Sequence, residues 1–187
     1  GWNMSDENVR IDAFLGPSHV SVITGSKIYK ELADEFKRPI AISGFEPLDI
    51  MASVLNLVRQ QNAGTYEVYN EYARAVKEEG NIRAKELIAK YFEPCDFVWR
   101  GLGEIAQSGM KLKDEFAYLD ARVQFDCSVE SAGESKACIC GQILRGLAKP
   151  TDCKVFGKVC NPQNPIGSCM VSSEGACAAY FKYARVG

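Results

Sequence analysis

The stretch PIAISGFEPLDIMASVLNLVRQQ, Pro39–Gln61, decides the fold class. Its opening PIAI is too short and too apolar for an amphipathic helix and reads as a buried strand. Ser43-Gly44 then makes a turn, and the residues through Gln61 read as a helix. A strand, a glycine turn and a helix in that order form the βα unit of parallel sheets. The chain from Ile11 to about Arg122 is therefore expected to be α/β. Upstream, HVSVITG, His19–Gly25, reads as a short strand ending at glycine, and Ser26–Phe36 as a helix with Ile28, Leu32, Ala33 and Phe36 on its apolar face. Downstream, Thr65–Ala75 and Ile82–Phe92 read as helices separated at Gly80-Asn81. FVWRGLGEI, Phe97–Ile105, reads as a strand and glycine turn, and SGMKL, Ser108–Leu112, as a loop.

Beyond about Val123 the pattern changes, which sets the expected domains at 1–122 and 123–187. Glycine, proline and cysteine recur every few residues, and only Ser173–Arg185 looks helical. Seven of the eight cysteines fall here: Cys127, Cys138, Cys140, Cys153, Cys160, Cys169 and Cys177. A region with so little apolar periodicity needs cross-links to be ordered, and a metal or disulfides could supply them.

Of the 187 residues, 47% are apolar, enough for a sizeable core, and the net charge is −2 with both signs interspersed. That balance points to neither a nucleic-acid nor an anionic-membrane partner. The apolar runs are too short to span a bilayer, and Gly1–Arg10 is polar, with no secretory pattern after it. The cysteines are accordingly read in a reducing cytoplasm, where metal binding or thiol redox chemistry outweighs disulfide stapling. A disulfide-stapled secreted domain is the contrary reading.

The cysteine steps are C-x-C at 138 and 140, then x12, x6, x8 and x7 to Cys153, Cys160, Cys169 and Cys177. Neither paired zinc-ribbon knuckles nor the ferredoxin run is present. Spacing alone gives four or more soft ligands on separate loops and leaves iron–sulfur and zinc both open. A C-x-C pair on an extended segment leaves little slack for both sulfurs to reach one centre, which favours one ligand and one non-ligand. Cys177, near the start of the last helix, lies where exposed N–H groups favour a thiolate. Gly141, Gly146, Gly157 and Gly167 would let backbone approach sulfur closely.

The segment CICGQILRGLAKPTDCKVFGKVCNPQNPIGSCMVSSEGACAAYFKY, Cys138–Tyr183, resembles the carboxy-terminal signature of the HypD family of hydrogenase maturation factors. GPSHVSVITG (Gly16–Gly25), ISGFEPLDI (Ile42–Ile50) and WRGLG (Trp99–Gly103) look like further family segments in the same order. The resemblance implies a parallel α/β domain followed by an irregular iron–sulfur region with a C-terminal helix. It implies a [4Fe–4S] cluster on a C-x12-C-x6-C-x16-C pattern, which maps onto Cys140, Cys153, Cys160 and Cys177. Cys138 and Cys169 match the family's redox-active pair. The implied role is assembly of the Fe(CN)2CO unit of [NiFe]-hydrogenase with a HypC-type small chaperone and a HypE-type cyanide-delivering protein. The alternative is a non-redox binding module that a metal merely staples.

Members of that family are far longer. The amino-terminal cysteine and nearby histidine that would hold the iron under assembly have no counterpart here, and Cys95 does not match that cysteine. The chain is thus expected to be a carboxy-terminal fragment or a shortened relative. His19, Glu46, Asp49, Arg100 and Glu174 are secondary candidates. The two carboxylates of GFEPLD serve either a site at the carboxyl end of a strand or the capping of the next helix. Arg100, next to Trp99, would bind a carboxylate or a cyanide-derived group, or form a salt bridge.

Overall fold

The computed structural model describes residues 8–125 and 135–184, and these form a mixed α/β chain with a parallel sheet and C-terminal helices. Its backbone divides into two compact units, one spanning Ile11–Phe92 and the other running from Glu93 onward with the residues before Ile11. The boundary expected near residue 122 lies inside the second unit.

The first unit holds a three-stranded sheet in the order β1-β2-β3, with β1 at Phe14–Gly16, β2 at Ile40–Ile42 and β3 at Val68–Asn70. All pairs are parallel, with Phe14 opposite Ile40 and Ile40 opposite Val68. In the central strand Ile40, Ala41 and Ile42 are all buried. Consecutive strand residues point to opposite faces, so burial of all three means that both faces are covered, as the uninterrupted apolar run predicts. Helix α3, Pro47–Ala63, follows β2 as expected. Pro47 occupies its first turn, and Gly64, in the left-handed region at φ 66°, ends it by donating its N–H to Gln60 and Gln61 carbonyls.

Two elements of the first unit differ from the sequence reading. HVSVITG is not a strand: Ser18–Thr24 forms helix α1, and the strand lies just before it. The β-branched run suggested a strand, but Pro17 sets the entry geometry and two of the helix's three hydroxyls are satisfied within it. The Ser21 hydroxyl donates to the Pro17 carbonyl, and Thr24 Oγ1 donates to the Val20 carbonyl at 3.1 Å. Thr65–Ala75 is not a helix either: it supplies β3 and then a turn in which Ala75 and Val76 donate to the Tyr72 carbonyl. The edge of β2 gives Val68–Asn70 backbone partners in a parallel register. Helix α2, Ile28–Phe36, and helix α4, Ile82–Tyr91, form as read. Asn81 caps α4 by accepting from the Ala84 N–H at 3.0 Å.

Two glycines join α1 to the loop before α4. Gly25 has φ 87° and Gly80 φ 70°. A Cβ on Gly25 would lie 2.2 Å from the Glu78 oxygen, and one on Gly80 would lie 2.3 Å from the Ile23 oxygen. Asn81 donates to the Ile23 carbonyl and Ser26 to the Lys77 carbonyl across this contact, at 3.0 and 3.2 Å.

At the carboxyl end of β2, Asp49 is 5% exposed and accepts two hydrogen bonds from Arg74, at 3.1 and 2.5 Å. Arg74 also lies 4.3 Å over the Tyr72 ring. A Cβ on Gly44 would meet Asp49 Oδ2 at 1.9 Å, so only glycine lets the loop pass over the carboxylate. The Arg74 bonds hold the Asp49 carboxyl below its usual range. Burial, and then the Asp49 charge, push Glu71 upward. Glu46 sits at the N-cap position of α3, and its side chain makes no cap hydrogen bond.

In the second unit β4, Phe92–Trp99, and β5, Gly103–Leu112, form a two-stranded sheet joined by three residues and hence antiparallel. Ser108–Leu112 is therefore strand, not loop; Trp99 Nε1 donates to Ser108 Oγ at 2.7 Å and ties the strands together. A 3-10 turn, Asp114–Leu119, and helix α5, Ala121–Gln124, follow. Beyond residue 134 come helix α6, Cys140–Leu144, a 3-10 turn at Pro150–Asp152, helix α7, Ser168–Val171, and helix α8, Ala176–Tyr183. The last helix was expected; α6 and α7 are too short for apolar periodicity to reveal. No helix among the described residues is long and apolar enough to cross a membrane.

Two outcomes follow for the first unit. Gly80→Ala should lower the unfolding free energy by at least about 1 kcal/mol through its positive φ and the backbone clash. Gly64→Ala, with nothing within 4 Å, should lose less, and urea titration compares the two. Asp49→Asn should lower the urea midpoint at neutral pH. A depressed carboxyl pKa stabilises above the unfolded value of about 3.9 and loses that stabilisation as pH falls through the native value, so the difference between variant and parent should shrink below about pH 4.

Candidate metal centre

Six cysteines come together in the second unit. Cys138 precedes α6, and its N–H donates to the Ser135 carbonyl at 3.0 Å. Cys140 is the first residue of α6, so C-x-C bridges a turn and a helix instead of lying on one extended segment. Cys153 ends the Pro150–Asp152 turn, which Asp152 closes by accepting from the Lys149 N–H at 2.8 Å. Cys160 sits in a tight loop, donating to the Val155 carbonyl and accepting from Gly157, both at 3.0 Å. Asn161 shapes the next turn, its side chain accepting from the N–H groups of Gln163 and Asn164. Cys169 lies on α7 and Cys177 on the first turn of α8.

These short pieces pack around sulfur. Cys140, Cys153, Cys160, Cys169 and Cys177 are 4–7% exposed and form one buried cluster with Ile143, Met170 and Ala178. Cys138 is half-buried against the same cluster. Polar hydrogens point at several sulfurs. Cys169 N–H donates to Cys140 Sγ at 3.3 Å, Ile166 N–H donates to Cys160 Sγ at 3.4 Å, and Ser168 Oγ lies 3.1 Å from Cys140 Sγ.

Glycine makes the approach possible at particular points. A Cβ on Gly167 would fall 2.4 Å from Cys138 Sγ, and one on Gly175 would fall 2.2 Å from the Cys169 carbonyl oxygen. Gly167 is thus close to sulfur, as expected. Gly141 instead admits the carbonyl of Gly101, which a Cβ would meet at 2.0 Å, and nothing lies within 4 Å of the Gly157 position. Gly175 escaped the sequence reading because the clash it avoids is with distant backbone.

Burial dominates the thiol acidities. It pushes Cys177 up to about 11, with the charges of Cys140 and its neighbours adding to the shift. Cys169 is pushed up further, by burial and then by its hydrogen bond with Cys140. Cys138 is also raised by burial, with a backbone bond at Cys140 opposing. A cationic centre would reverse this balance, because a coordinated thiol is deprotonated.

The donor set suits a soft metal centre by chemistry and by location. Among the described residues, however, no group of three or more His, Cys, Asp or Glu side chains is placed to hold a metal ion. The thiols share a core without closing on one point. All seven described cysteines are free thiols. Cys95 stands apart on β4, half-buried, and Cys127 lies outside the described residues.

The secondary candidates do not join the cysteines. His19, on α1, stacks against Phe45 at 4.8 Å between ring centroids. Glu46 and Asp49 face Arg74. Glu174 precedes the N-cap of α8, and its N–H donates to Ser172 Oγ at 3.2 Å. Arg100, in the β4–β5 turn, lines a cavity beside Cys138 and has no carboxylate partner among the described residues.

Comparison with known proteins gives the family. The family described as "HypD: Hydrogenase formation hypA family" matches residues 2–184. The hydrogenase maturation factor HypD2 of Bradyrhizobium diazoefficiens is 54% identical over 178 residues, covering 95% of this chain and 47% of that protein. The hydrogenase maturation factor HypD of Cupriavidus necator is 51% identical over the same coverage of both chains. The HypD factor of Escherichia coli is 43% identical over 176 residues, 92% of this chain and 47% of its own. The chain spans about half the length of the curated relatives it matches. With a match that runs through both the parallel-sheet unit and the cysteine core, the chain belongs to the HypD family of hydrogenase maturation factors.

Proposed function

We propose that the chain carries the cluster-binding and dithiol-bearing part of a hydrogenase maturation factor. Cys140, Cys153, Cys160 and Cys177 hold a [4Fe–4S] cluster, and Cys138 and Cys169 form a dithiol–disulfide couple beside it. The observation that supports this most is the convergence of six thiols from separate short elements into one core, while Cys95 stays outside it. A multinuclear cage bonds each cysteine to a different iron, so its ligands stand farther apart than those around a single ion. The six thiols of this core come from separate short elements, as the ligands of such a cage would.

When bound, such a cluster passes single electrons. The protein supplies the rest. Burial excludes water from the sulfurs, and N–H donors from Cys169 and Ile166 to Cys140 and Cys160 stabilise sulfur-centred negative charge, which raises a cluster's potential. A dithiol stores two electrons, and two protons leave when it closes to a disulfide. In a whole cytoplasmic maturation factor this couple would serve assembly of the Fe(CN)2CO unit, the cargo, with a HypC-type chaperone and a HypE-type cyanide donor. The second reading is a non-redox module in which a metal only staples a docking surface. It is favoured by how little apolar core this region has apart from its cysteines.

Anaerobic preparations should contain iron and acid-labile sulfide in equal amounts, with a visible charge-transfer spectrum. One equivalent of zinc without iron would overturn the cluster assignment. Serine at Cys153 or Cys160 should abolish iron retention. Cys138→Ser and Cys169→Ser should retain iron and, in the full-length context, lose maturation activity; unchanged maturation would favour the stapled module.

A further inference from the structure

Beside Cys138 lies a cavity of about 290 Å³. Among the described residues, Arg100, Lys136 and Arg145 line it, together with the Gln142 amide and the Ser168 hydroxyl, and no Asp or Glu does. None of the three cations has a carboxylate within 4 Å among the described residues. Arg145 is oriented by its Nε, which donates to the Gly141 carbonyl at 3.0 Å. Arg100 is brought here because Gly141 lacks a Cβ, so the β4–β5 turn packs directly on the start of α6. Gly167 completes the wall and leaves room for the Cys138 sulfur. Of the thiols of the core, half-buried Cys138 is the more open of the two that border the cavity; Cys140 is 5% exposed.

A small concave site with three unpaired cations and a sulfur in its wall suits one class of ligand. It would carry carboxylates for the guanidinium and ammonium groups, and a sulfur to meet Cys138. We propose that this cavity docks a low-molecular-weight anionic thiol or its disulfide, which exchanges with Cys138. The inference rests on the dithiol reading of Cys138 and Cys169. In the oxidising direction the Cys138 thiolate attacks one sulfur of the docked disulfide. A mixed disulfide forms and the first anionic thiolate leaves. The Cys169 thiolate then attacks Cys138 Sγ, closing the internal disulfide and releasing the second thiolate. The protein dithiol loses two electrons, the ligand disulfide gains them, and the two thiol protons pass to solvent. The reverse sequence reduces the protein with two equivalents of the anionic thiol.

The test compares two disulfide probes on the anaerobically prepared chain, the dianionic dithiobis(nitrobenzoate) and the neutral dithiodipyridine. Working near 0.1 M salt, where the screening length is about 10 Å, suppresses long-range steering. The anionic probe should react with saturation and leave its adduct on Cys138, mapped by peptide mass. Combined Arg100→Gln, Lys136→Gln and Arg145→Gln should slow it roughly tenfold or more and leave the neutral probe within about twofold. Arg100→Gln alone, at an exposed turn, should give a smaller loss of the same kind and guards against misfolding of the triple variant. Equal slowing of both probes, no slowing, or an adduct on Cys95 would overturn the proposal. Iron and sulfide analysis of the same samples reads the cluster assignment separately. Iron retained without charge selectivity defeats only the docking site, and charge selectivity without iron defeats only the cluster. Iron lost in the triple variant, with both probes affected together, would mean that the cations merely balance the charge of the sulfur core.

Discussion

The second unit depends on one constraint: a region with little apolar material of its own is organised by burying sulfur. Five cysteines at 4–7% exposure outnumber the three other buried members of the cluster, Ile143, Met170 and Ala178. Helices α6 and α7, of five and four residues, could not persist alone, since isolated helices below about 12 residues are marginal in water. Each is held because a cysteine on it belongs to the shared core. Burial, and then the neighbouring sulfurs, push the Cys169 and Cys177 thiols up. A cationic centre would turn that mutual repulsion into ligation. The structural demand and the proposed chemistry are met by the same atoms.

Backbone contact does the positioning. Gly167 stands against Cys138 Sγ, Gly175 against the Cys169 carbonyl, and Gly141 against the Gly101 carbonyl. The last of these carries Arg100 to the rim of the cavity beside Cys138, so one missing Cβ links the hairpin to the thiol region. The first unit uses the same device at Gly25 and Gly80, and at Gly44 over Asp49. There the result is a buried carboxylate held by Arg74 at the carboxyl end of the parallel sheet.

The strand–turn–helix of Pro39–Gln61 was legible because an apolar run, a glycine and a proline-led helix each act locally. Two segments of the first unit, His19–Gly25 and Thr65–Ala75, show where locality fails. In the first, β-branched residues carry strand propensity, but Pro17 and the Ser21 and Thr24 hydroxyls, bonded back to the preceding turn, go with a helix. In the second, Val68–Asn70 forms a strand because β2 has an edge to pair with.

The cysteine spacing by itself pointed to several soft donors on separate loops, because thiols seldom cluster for packing alone. The match to the family runs through both units. Only the tertiary structure decided which thiols share a core, that Cys95 is not among them, and that Cys177 is buried in it. It alone placed three cations around Cys138. The reason is range: ligand type and spacing are written along the chain, whereas burial, pKa and cavity charge are sums over groups that folding brings from far apart.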